Sequence, residues 1–124
     1  MAFREKIRDR ALPHIPPDQT YRISFMAEMP LWGINGLLPR YRVVVVTDKR
    51  VHLFTARLWA SCDPGELLGS WAPSALVYRG KILFSHEIYL GNQQLWVRFA
   101  FRDLLWEALA ACHPADPTYQ PASW

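Results

Sequence analysis

The chain has 124 residues, 51% of them apolar and 20% charged, with six tryptophans and a net charge of +3 when histidine is neutral. That balance excludes a disordered chain and suits one domain with a buried core. The charge excess is too small to point to nucleic acid, and Cys62 and Cys112 stand outside metal-type spacing, so both read as reduced thiols. Met1 to Lys6 lacks the apolar segment of a secretion signal, and no apolar run approaches the ~20 residues that cross a bilayer. A soluble, cytoplasmic protein is expected.

Residues 3–12 predict a short amphipathic helix. Phe3, Ile7 and Ala11 fall at i, i+4 and i+8 among charged residues, and Pro13, Pro16 and Pro17 stop it. A helix this short needs something to dock on, either its own domain or a partner. Tyr21, Ile23, Phe25 and Ala27 alternate with Arg22, Ser24, Met26 and Glu28, which predicts a strand with one buried face. Pro30 to Pro39 reads as a loop on its two glycines and bounding prolines, yet it is strongly apolar.

Arg40–Thr47 and Val51–Thr55 read as a hairpin. Its first strand is rich in β-branched residues, and Thr47-Asp48-Lys49-Arg50 makes a polar turn. Ala60 to Gly65 is a turn cluster. Glu66–Ala72 and Leu76–Tyr78 predict short strands split at Pro73, and Arg79-Gly80-Lys81 a further turn. Ile82–Leu90 and Gln94–Phe99 predict strands joined at Gly91-Asn92-Gln93, with Leu95, Val97 and Phe99 on one face. The period then changes: Phe101, Leu104, Leu105, Ala108, Leu109 and Cys112 form the stripe of a helix that His113-Pro114 ends. Trp106 lies off that stripe. The tail from Ala115 to Trp124 holds Pro117 and Pro121 and should be extended.

About seven strands at short spacing with one helix at the end predict a mostly β fold, a bent antiparallel barrel capped by residues 101–112, with the short first helix outside it. The hairpin Tyr41-Arg-Val-Val-Val-Val-Thr-Asp-Lys-Arg-Val-His-Leu-Phe54, and the strand Leu95-Trp-Val-Arg-Phe99 before the last helix, carry a resemblance over about residues 20–112. They resemble the bacterial pleckstrin-homology-like domains, in particular small actinobacterial proteins with a charged first helix and a proline-containing linker. The resemblance implies a seven-stranded bent sheet capped by a C-terminal helix. It divides the chain into helix and linker (1–19), domain (20–112) and tail (113–124). The fold serves lipid, peptide and protein binding, so it does not fix the function. Some eukaryotic relatives hold phosphoinositides with basic residues between the first two strands; here Met29 to Pro39 contains neither Lys nor Arg.

No catalytic set stands out. His14, His52, His86 and His113 are scattered, and His52 and His86 read as half-exposed strand residues. No metal site and no cofactor are expected. The apolar loop, with Leu31, Trp32, Ile34, Leu37 and Leu38, is the main candidate for binding; it either folds back over the barrel mouth, meets a protein, or enters a membrane interface. Arg40, Arg42, Lys49 and Arg50 are the candidate basic patch, with Arg57 as a further cation. The leading expectation is a non-catalytic module that binds a protein partner or itself through residues 30–39. The alternative is peripheral contact with anionic lipid at the inner face of the membrane through the same loop and the adjacent arginines.

Overall fold

The structure is a computed structural model that describes residues 3–30, 41–56 and 63–116. Helix α1 (Phe3–Ala11) is followed by β1 (Tyr21–Glu28), β2 (Tyr41–Thr47), β3 (Val51–Ala56), β4 (Pro64–Trp71), β5 (Leu76–Ile82), β6 (Ser85–Leu90), β7 (Gln93–Arg98) and helix α2 (Arg102–Cys112). The strands form one antiparallel sheet in the order β4-β3-β2-β1-β7-β6-β5. The mostly β fold with seven strands and two flanking helices is therefore as the sequence predicts. The sheet is open rather than a closed barrel, with β4 and β5 as its edges. The chain leaves β4 through a single helical turn at Pro73–Ala75, and Pro73 has no N–H for a ladder bond.

The main core lies on one face of the sheet. There α2 sets Leu104, Leu105, Ala108, Leu109 and Cys112 against Ile23, Phe25, Val44, Leu53, Ile88, Leu95 and Val97. Trp106 is buried as well, so the apolar face of α2 is wider than the stripe in the sequence. A second cluster lies on the other face. Ile7 and Ala11 of α1 are fully buried against Met26, Val43, Val45 and Phe54. The first helix thus docks on its own domain, fastened by ion pairs from Arg4 to Glu107 and from Arg10 to Asp63, while Phe3 stacks on Phe101 at 5.0 Å.

This second cluster corrects the single buried face expected for β1. Ser24 and Met26 are buried beneath α1, so residues 23–27 are buried on both sides, as are Val43 to Thr47 of β2. The Thr47–Arg50 turn forms as predicted. The Thr47 hydroxyl accepts from the backbone N–H groups of Lys49 and Arg50 at 3.2 and 3.0 Å, and Asp48 accepts from the Thr20 N–H at 2.8 Å.

The β5–β6 region departs from the sequence reading. Arg79-Gly80-Lys81 is not a turn: β5 runs through it, and a register shift between Tyr78 and Gly80, with Gly80 at φ +122°, absorbs the irregularity. The turn is Leu83-Phe84, closed by Ile82 opposite Ser85, so Ile82–Leu90 is not one strand. Phe99 likewise leaves the strand expected for it and begins the one-turn helix Phe99–Phe101.

Candidate interaction surface

The histidines are structural anchors. His52 is buried on β3 rather than half exposed. Its Nε2 lies 2.8 Å from Gln19 Oε1 and its Nδ1 2.6 Å from Ser70 Oγ. A carbonyl oxygen only accepts, so Nε2 carries the proton and Ser70 donates to Nδ1. Thr47 Oγ1 donates to the same Gln19 oxygen at 2.7 Å. The group ties the α1–β1 linker to the β2–β3 hairpin and to β4. Burial, then the charge of Arg50, pushes the proton affinity of His52 down.

His86, also expected half exposed, is buried under α2. Its ring lies 4.6 Å from Trp106 and 4.8 Å from Phe99, and Nδ1 shares a hydrogen bond with the Tyr78 hydroxyl at 2.9 Å. Burial lowers its proton affinity, with Lys81 and Arg102 adding to the effect; burial also raises the Tyr78 phenol. At the end of α2, His113 Nε2 donates to the Leu76 carbonyl at 2.6 Å. Cys112 is a buried free thiol, its pKa pushed up to about 12 by burial; Cys62 lies outside the described residues. Among the described residues no three His, Cys, Asp or Glu side chains gather as a metal set, and no helix is long and apolar enough to cross a membrane.

Leu31, Trp32, Ile34, Leu37, Leu38, Arg40 and Arg57 lie outside the described residues. Of the other basic candidates, Arg42 is half-buried and donates to the Tyr41 carbonyl at 3.0 Å and to Met29 Sδ at 3.0 Å. Lys49 pairs with Asp18 at 3.7 Å, and Arg50 donates to the Ser70 carbonyl at 3.1 Å. Arg42 and Lys49 stand at opposite ends of β2, roughly 23 Å apart at the rise of a strand. The structure does not bring them into one patch.

Two apolar features that the sequence reading did not single out face solvent. On β4, Leu67 is 53% and Leu68 44% exposed. Phe54 pairs with Leu67 and Leu53 with Gly69, so Leu68 is the extra residue of a bulge, and the local bend lets two consecutive leucines face outward. At the β5–β6 turn, Leu83 is 81% and Phe84 84% exposed. Two adjacent leucines in the strand predicted over 66–72, where alternation would bury one and expose the other, were the only signal for the first. The second carried none, because Leu-Phe lacks turn chemistry. Comparison with known proteins gives no match: no family model, no curated protein and no solved structure is similar to this chain.

Proposed function

We propose that this protein is a non-catalytic interaction module that adds a protein strand to the β4 edge of its sheet, a second copy of itself being the simplest partner. The observation that carries this reading is the β4 edge. It bounds the sheet, no described strand lies beyond it, and Leu67 and Leu68 stand exposed on it. An edge strand offers unpaired backbone groups to an incoming strand, and exposed leucines supply the apolar contact that makes such pairing stable. Both sheet faces over β1 and β2 are already filled by α1 and α2, while no described strand pairs with the outer side of β4. The rings of His52, His86 and His113 hold the fold together, which supports a role without chemistry. Strand order and a capping C-terminal helix support the pleckstrin-homology-like reading, whose fold serves such roles.

Sedimentation velocity over a concentration series tests this. The mass should rise with concentration, and Leu67→Lys with Leu68→Lys should return it to one chain with the melting temperature retained, as both sites are exposed. A mass of one chain for the native protein up to several hundred micromolar would exclude self-pairing at this edge.

A further inference from the structure

The Leu83-Phe84 tip holds the two most exposed large apolar side chains among the described residues. These two residues alone make the β5–β6 turn, and Leu83 sits at φ +52°. Two-residue hairpins favour Gly, Asn or Asp at positions with positive φ, and a leucine there is strained. Neither side chain joins either core cluster, so the strain is not offset by burial within the chain.

Two side chains on a convex tip cannot by themselves supply the roughly 800 Å² per partner of a stable protein interface. A fluid bilayer interface demands no matching shape and takes up apolar residues singly. The charges around the tip fit an anionic one. Lys81 is one register step from the turn, opposite His86; Arg98 stands opposite Ser85; Arg102 opens α2. Of the nearby acids, Glu28 is bonded to Arg98, Glu87 stands opposite Gly80 and accepts from the Gln94 side-chain amide, and Asp103 lies in the first turn of α2. Lys81 and Arg102 both add to the lowering that burial imposes on the proton affinity of His86, which places two cations near the base of the hairpin.

We propose that Leu83 and Phe84 form a wedge that enters the interface of an anionic phospholipid bilayer, with Lys81 and Arg102 at the level of the headgroups. The site is distinct from the β4 edge and does not depend on it. With two apolar side chains and a few cations the attachment is weak, reversible and sensitive to salt.

Flotation of the full chain with phosphatidylcholine vesicles, with and without phosphatidylglycerol, tests the wedge at low and moderate salt. The chain should float with the anionic vesicles, less as salt rises, and stay behind with the neutral ones. Lys81→Gln should weaken partitioning about fivefold. Leu83→Gly combined with Phe84→Ser should weaken it tenfold or more while leaving the melting temperature unchanged or higher, since glycine relieves the positive φ. If that double variant melts lower, Phe84→Gln, which adds no charge at an exposed site with no packing to lose, decides the matter in the same way. Absence of flotation with anionic vesicles, equal flotation with neutral ones, or full flotation of the tip variants would each overturn the proposal.

Discussion

Trp71 closes the corner between the two halves of the sheet. A Cβ built on Gly91, which sits at φ +62°, would fall 2.3 Å from Trp71 Nε1. The backbone N–H of Gly91 also donates to the Ala75 carbonyl at 3.1 Å. The indole therefore lies on bare backbone, and the β6–β7 turn is held to the end of β4 and to the turn that follows. Gly91→Ala should cost about 2–4 kcal/mol, part from the left-handed backbone and part from the displaced indole. Urea denaturation should show the second part vanish when Gly91→Ala is made together with Trp71→Ala. An unchanged penalty in the double variant would show that the indole does not touch this turn.

At the scale of elements, α1 is what turns a sheet with one dry face into one buried on both. Ile7 is fully buried among Met26, Val43, Val45 and Phe54. Ile7→Ala should cost about 2–4 kcal/mol in chemical denaturation. Deleting residues 1–12 should lower the melting temperature and expose this second cluster to a dye that binds apolar surface. If both measurements stay at the native value, α1 is not docked. The stripe Phe3, Ile7 and Ala11 was legible because helical spacing is local, and so was the 41–55 hairpin, where β-branched residues and Thr-Asp-Lys-Arg agree. What α1 covers was not legible. The alternation of Ser24 and Met26 with their neighbours is the pattern of a strand facing water, and only a segment some fifteen residues upstream changes that. The β5–β6 hairpin was misread for the opposite reason. Gly80 offers turn chemistry and is used inside a strand, while Leu83-Phe84 offers none and makes the turn. The burial of Trp106 and the exposure of Leu67 and Leu68 belong to tertiary packing, which spacing does not encode. Of the predicted binding residues, Arg42 and Lys49, expected with Arg40 and Arg50 to make one basic patch, stand at opposite ends of β2, because a strand carries residues seven apart in sequence far apart in space. The apolar residues 31–38 lie outside the described part of the chain.

Over the whole molecule, the buried titrating groups set a pH range in which the fold is most stable. His52 and His86 both have folded-state proton affinities below the ordinary histidine value of 6.5, chiefly because burial disfavours the charged ring. The unfolded chain then binds more protons than the folded one as pH falls below 6.5, so stability falls with it and levels off once both rings are protonated in the folded state. The slope cannot exceed one proton for each of these two histidines. Cys112 works on the other side. Its folded pKa is about 12 against an ordinary 9.0, so the unfolded chain loses this proton first and stability falls as pH rises above 9. Tyr21 and Tyr78, raised by burial from 10.0, add to that decline. The melting temperature should therefore form a plateau between about pH 7 and 8.5 and drop on both sides. His86→Phe keeps a ring between Trp106 and Phe99, and should remove the His86 share of the acid slope while leaving the alkaline side as it was. Cys112→Ala should flatten the first part of the alkaline decline, at a lower plateau because it opens a small cavity in α2's core face. A melting temperature still rising from pH 7 down to 5 would show that His52 and His86 are charged in the folded protein, and that the neutral network of His52, Gln19 and Ser70 is wrongly assigned.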